Sequence, residues 1–211
     1  RLRFAGFKGS WKESKIKNHV DLLSGYAFKS EFFAKDGKKL LTPKNFTKDG
    51  FASFSEENTK FTVEGCDGKY VCRNGDLLLL LTDLTPTCEL LGRPIYLRED
   101  DGEVLLNQRI AKVFVDEKLK IEFLLYYFST HEYLKRIRAT ATGTTVRHSS
   151  NKTILDTSIK FPSLEEQCKI VILLGSIDEA IEAQDRRVNS IEVYKKGLIQ
   201  QIFPVMDEAV S

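Results

Sequence analysis

The chain has no long apolar run. Its densest hydrophobic stretch, Leu77 to Leu81, is strand-sized, whereas a membrane-spanning helix needs about 18 or more apolar residues in succession. No membrane span is therefore expected. A secretory leader is also lacking, because Arg1-Leu2-Arg3-Phe4 runs straight into a polar stretch, and a cytoplasmic location is expected. No initiator Met is present, as in a chain trimmed or cut from a longer one. Cysteine is sparse: Cys66, Cys72, Cys88 and Cys168 form no C-x-x-C pair, and His19, His131 and His148 lie far from them in sequence. Free thiols are expected rather than a zinc site or a disulfide framework. There is no glycine-rich loop for phosphates or dinucleotides. Neither Asn-Pro-Pro-Tyr nor Asp-Pro-Pro-Tyr, the signatures of amino-methyltransferases, occurs. The one Glu-x-Lys, Glu13-Ser14-Lys15, has no upstream aspartate to make a metal-dependent nuclease site. The chain is expected to be non-catalytic, with no metal and no cofactor of its own.

What is there suits one domain plus an appendage. The chain has 211 residues, and 42% hydrophobic content is enough for a core. The formal net charge of +2 is unevenly divided. From Ser163 onward there are 5 Lys/Arg against 9 Asp/Glu, and before it 27 against 21. A basic body with an acidic appendage suits a polyanion at the body and protein at the appendage.

The appendage is marked by periodicity. Ile170, Leu174, Ile177, Ile181, Val188, Ile191, Leu198 and Ile202 recur at steps of four and three, with Gln184 and Lys195 filling the two other places. This is a heptad seam, which needs another helix to lie against. Ser163 followed by Glu166 reads as a capping box, and Pro162 stops whatever precedes it. A helix of about 40 residues is about 60 Å long, longer than a small domain is wide.

Within the body, Ile16 to Ser24 has a helical spacing closed by Gly25. Lys39 to Thr42, Leu77 to Thr82, Pro94 to Arg98, Arg109 to Val115 and Ile154 to Phe161 read as strands, and residues 52–68 as charged, turn-rich chain. Lys120 to Ala139 reads as helix. The expected fold class is α+β: a mixed α/β domain over residues 1–160, then a long C-terminal coiled-coil helix over 161–211.

Three places could meet a nucleic acid. Between Tyr133 and Leu155 lie 5 Lys/Arg and no acid: Lys135, Arg136, Arg138, Arg147 and Lys152. The intervening loop carries Gly143, Thr144, Thr145 and His148, small and polar enough to approach phosphates or base edges, and the fork of Arg147 suits guanine. Asn107-Gln108-Arg109, at the entrance to a strand, has the side chains that read adenine and guanine. Tyr26 and Lys29, in an aromatic loop, and Lys44 complete the set. A solvated basic face followed by a loop would explain the first place equally well.

Several further strings occur in order along the chain: Arg3-Phe4-x-Gly6-Phe7 with Trp11, Ser24-Gly25-Tyr26-Ala27-Phe28-Lys29-Ser30, Leu106-Asn107-Gln108-Arg109, Thr142-Gly143-Thr144-Thr145, Phe161-Pro162-Ser163-Leu164-Glu165-Glu166-Gln167, and Lys195-Lys196-Gly197-Leu198-Ile199-Gln200-Gln201-Ile202-Phe203. Together they resemble one half of the specificity subunit of type I restriction–modification enzymes. The one departure is Ala5, where that family often has proline before the glycine. The resemblance implies a target-recognition domain and a conserved spacer helix, reading one half of a bipartite site in double-stranded DNA. It implies methyltransferase subunits and a restriction (translocase) subunit as partners, which carry S-adenosylmethionine and ATP. The family usually has two such units in tandem, so this chain is expected either to form a homodimer through the helix or to belong to a longer chain. The alternative is a truncated specificity-like regulator that binds methyltransferase subunits without reading DNA.

Overall fold

The computed structural model describes residues 3–83, 85, 87–143 and 146–203. In chain order the strands are β1 (Lys12–Lys15), β2 (Val20–Ser24), β3 (Phe33–Ala34), β4 (Lys38–Leu41), β5 (Lys60–Thr62), β6 (Val71–Cys72), β7 (Leu77–Leu80), β8 (Thr82–Asp83), β9 (Pro94–Tyr96), β10 (Val104–Leu106) and β11 (Ile110–Val115). Two helices follow, α1 (Ile121–Phe128) and α2 (His131–Ala139). The chain continues through β12 (Arg147–His148), α3 (Asn151–Leu155), β13 (Ser158–Phe161) and α4 (Leu164–Ile202). This is the expected α+β class, with the long C-terminal helix present as one element. Residues 1–168 and 169–211 form two units.

Two sheets make the body of the first unit. One runs in the order β2-β11-β7-β9, antiparallel throughout, and the other in the order β3-β5-β4-β10-β6, with β10 and β4 parallel. Leu78 and Leu80 of β7, Ile95 of β9 and Ile110 of β11 meet Leu41, Cys72, Val104 and Leu106 of the second sheet in one buried cluster. Side chains alternate across a strand, so Leu40 and Leu105, one residue along, face away and bury Phe28 in a smaller cluster. Burial pushes the Cys72 thiol up to about 12, so it behaves as a small hydrophobe. All four cysteines are free.

Three local expectations are corrected. Ile16 to Ser24 is a 3₁₀ turn over Ile16–Asn18 followed by β2. The helical spacing of Ile16, Val20 and Leu23 yields to five residue pairs with β11, because tertiary pairing overrides a short periodic signal. The helical stretch after Lys120 is two helices. Thr130 divides it: its hydroxyl donates to the Tyr127 carbonyl at 2.8 Å and accepts from Tyr133 N–H as the cap of α2. Ile154 to Phe161 is likewise split. Ser150 caps α3 by accepting from Thr153 N–H at 3.1 Å, and only Ser158–Phe161 is strand, paired antiparallel with β1.

The first turn of α4 belongs to the first unit and is set by two buried polar side chains. Glu166 takes a two-pronged bond from Arg3, at 2.8 and 2.7 Å. Gln167 accepts from Lys120 N–H at 2.9 Å and donates to the Lys118 and Pro162 carbonyls at 2.9 and 3.1 Å. Glu166 N–H also donates to the Ser163 hydroxyl at 3.4 Å, the half of the expected capping box in which the serine side chain accepts. In the second unit the helix continues unbroken to Ile202, and its seam is open: Ile177 is 47% exposed, Ile181 53% and Ile191 57%.

Candidate nucleic-acid interface

The candidate residues gather because antiparallel strands place alternate ends together. The C-terminal ends of β2 and β7 and the N-terminal ends of β11 and β9 share one edge of the four-stranded sheet. Backbone bonds continue the pairing past the strands. Gly25 N–H bonds the Ile110 carbonyl at 3.0 Å, Gln108 N–H the Tyr26 carbonyl at 2.9 Å, Leu81 N–H the Arg109 carbonyl at 2.8 Å, and Ser149 N–H the Leu81 carbonyl at 2.9 Å. The segments around residues 26, 108, 81 and 149 are thus adjacent. Gly25 makes the first of these approaches possible, since a Cβ there would overlap the Asn107 and Leu106 carbonyls. Asn151 ties α3, which carries the exposed Lys152, to the same edge by donating to Ser24 Oγ at 2.9 Å.

Asn107, Gln108 and Arg109 line a cleft of about 350 Å³ with Lys44 and Lys60. Asn107 Oδ1 accepts from Arg109 N–H at 3.2 Å, a local turn that leaves its amide hydrogens for a ligand. Among the described residues, Lys44, Gln108 and Arg109 have no side-chain partner, so their donors are available. Lys29 is in a different state, paired at 3.7 Å with Glu31. Tyr26 is a support: its ring meets Phe28 at 4.9 Å, and its hydroxyl donates to Glu64 at 3.3 Å. The Glu64 carboxylate beside it raises the Tyr26 pKa.

Part of the exposed segment after Ala139 is held by backbone bonds. Thr142 and His148 exchange backbone bonds at 3.1 and 2.9 Å, with Gly143 at φ +97, and Arg147–His148 pairs with β8. His148 Nδ1 lies 3.0 Å from Thr82 Oγ1. Thr144 and Thr145 lie outside the described residues. Arg136 and Arg138 are separated by the helix. Arg138 donates to the Glu89 carbonyl at 3.2 Å, while Arg136 lines a shallow depression beside Tyr127 and Ser158. Burial pushes the Tyr127 phenol there up to about 12.

Sequence reasoning missed Lys60, Arg93 and Lys48. Lys60 sat in the turn-rich stretch, and its place in the cleft depends on β5 pairing with β4. Among the described residues no three His, Cys, Asp or Glu side chains cluster as a metal site, and no helix is long and apolar enough to cross a membrane.

A domain of two packed sheets followed by a long helix with an open heptad seam defines the class. The model for the type I restriction modification DNA specificity domain matches residues 8–193, and the chain belongs to that family. It is 30% identical over 196 residues to the MjaVIII specificity subunit of Methanocaldococcus jannaschii, covering 90% of this chain and 44% of the relative. It is 26% identical over 195 residues to the EcoBI specificity subunit of Escherichia coli, covering 92% of this chain and 38% of the relative. Among solved structures, the type I S subunit from M. genitalium aligns with a TM-score of 0.65 at 18% identity, over 92% of this chain and 45% of that one. A chain from a solved structure of complex assembly and conformational transition in a type I R-M system aligns at 0.63 and 21% identity, over 94% of this chain and 46% of that one. The chain spans less than half the length of these relatives.

Proposed function

We propose that this chain is the DNA-reading half of a type I specificity subunit, non-catalytic itself, and that the strand-end edge of the four-stranded sheet is its DNA face. The observation that carries the reading is the convergence of Tyr26, Asn107, Gln108, Arg109, Arg147, His148 and Lys152 on that edge, from segments far apart in sequence. Lys44, Arg109 and Arg147, without an ion pair among the described residues, supply salt-sensitive attraction to phosphates, and the amides of Asn107 and Gln108 supply base readout. The seam of Ile170, Leu174, Ile177, Ile181, Val188, Ile191, Leu198 and Ile202 receives a second helix, from a second copy or from another half of a longer chain. A spacer of about 60 Å corresponds to about 17 base-pair rises, the scale of a bipartite site. Methyltransferase and restriction subunits dock on the assembled helices and carry the cofactors.

Methylome sequencing of a host expressing the chain with its methyltransferase subunits tests this. A bipartite methylated motif, lost or altered on replacing Asn107, Gln108 and Arg109 with alanine, is expected. Methylation that needs the chain but ignores these three residues would move base readout elsewhere. A gel shift in which the complex binds no duplex would favour the regulator that only sequesters methyltransferase subunits.

A further inference from the structure

A second basic group lies beside the cleft, on the turn that joins β8 to β9. Gly92 lets α2 approach it: at φ +76 its Cβ position is only 2.9 Å from Ile137 Cγ2. The last turn of α2 therefore lays Arg138 on the Glu89 carbonyl, which accepts from Arg138 Nη2 at 3.2 Å and from Arg93 Nε at 2.9 Å. Two guanidinium cations thus share one neutral oxygen. Among the described residues no carboxylate forms a direct ion pair with either, although those of Glu89 and Asp49 act on Arg93 through space. Glu89's own carboxylate is paired with Lys48, whose carbonyl accepts Arg93 Nη1 at 3.1 Å. Asp83, 1% exposed, turns its carboxylate to the N–H groups of Thr85, Leu90 and Leu91 at 2.7, 2.7 and 3.0 Å. Arg147 stands opposite Asp83 in the β12–β8 pair and has no ion pair among the described residues. Arg138 Nε is buried with no hydrogen-bond partner. Burial and then the neighbouring Arg138 charge lower the Arg93 pKa. A cationic group held by backbone acceptors, with no carboxylate bonded to it, can take an anion at its remaining guanidinium N–H groups, the buried Arg138 Nε aside.

We propose that Arg93, Arg138 and Arg147 form a clamp on the DNA phosphodiester backbone, distinct from the base-reading cleft at residues 107–109. The clamp rests on the reading of this edge as the DNA face. It is continuous with the cleft through the Ser149, Leu81 and Arg109 backbone bonds, so one duplex can engage both. It supplies sequence-independent affinity and register, and the cleft supplies sequence.

The test uses the full chain with its methyltransferase subunits and two labelled 30-base-pair duplexes of unrelated sequence, titrated across a range of salt. Arg138→Gln with Arg147→Gln is expected to weaken both duplexes alike and to flatten the plot of log affinity against log salt by about 0.9 for each phosphate no longer neutralised. Arg147→Lys is expected to keep the slope. Should Arg138→Gln disturb α2, as read by circular dichroism, Arg147→Gln alone decides, with an expected flattening of about 0.9. A folded variant with wild-type slope overturns the clamp, as does a weakening confined to one duplex. In either case wild-type binding leaves the DNA reading standing. A wild-type complex that binds neither duplex removes that reading and the clamp with it.

Discussion

The body and the long helix use apolar residues in opposite ways. In the body, Leu77 to Leu80 are fully buried, Leu78 and Leu80 between two sheets that the same chain supplies. In the helix, side chains of the same kind repeat from Ile170 to Ile202, and those of the seam at Ile177, Ile181, Val188 and Ile191 stay about half exposed. The difference teaches that burial is complete where sequence order brings two apolar faces together, and open where only one face is encoded. A lone apolar stripe on a stable helix is half of an interface.

The largest expected effect comes from filling that open half with charge. Replacing Ile177 and Ile181 with glutamate should weaken self-association by about 100-fold or more, since each isoleucine is worth about 1.5–3 kcal/mol when fully buried. The melting of the body should stay put. Analytical ultracentrifugation and calorimetry read the two halves of that statement, and a monomeric wild type would end the homodimer idea. Breaking the body instead requires attacking a close approach. Gly25→Val drives a side chain into the Asn107 and Leu106 carbonyls and should cost about 3 kcal/mol, seen as a lower urea midpoint. At the first turn of α4, Gln167→Ala leaves a buried N–H and two carbonyls without their partner, a loss of about 2 kcal/mol with faster amide exchange at Lys120. The smallest effect is local. Lys48 holds the Glu89 carboxyl below its ordinary value of 4.5, so the pairing contributes above that pH and fades as pH falls through the lowered value. An NMR titration should place the Glu89 midpoint below 4.5, and Lys48→Met should return it toward 4.5.

The long helix was legible because its signal is local and repeated: heptad spacing, Pro162 and the Ser163–Glu166 pair all point one way. Leu77 to Leu80 was legible as a buried strand for the same reason. Ile16 to Ser24 was not, because its strand character comes from β11, about 90 residues further on. The site divides similarly. Asn107 to Arg109 could be nominated from side-chain chemistry alone. That Arg136 and Arg138 part company, that Tyr26 supports rather than reaches out, and that Lys60 joins the cleft depend on pairings no local pattern encodes.

The pairing of residues 25–26 with 106–108 has an evolutionary consequence. The Tyr26 backbone N–H donates to the Leu106 carbonyl and the Tyr26 carbonyl accepts from Gln108 N–H, so the aromatic loop and the reading triplet are tied through the main chain and a backbone adjustment in one is passed to the other. Changes at Tyr26 and at Gln108 should then be epistatic, and a double-mutant cycle should show a coupling energy of about 1 kcal/mol rather than simple addition. Lineages that acquire a new target through this edge are expected to do so by paired replacements in both loops, since a single exchange would move its neighbour's footing as well.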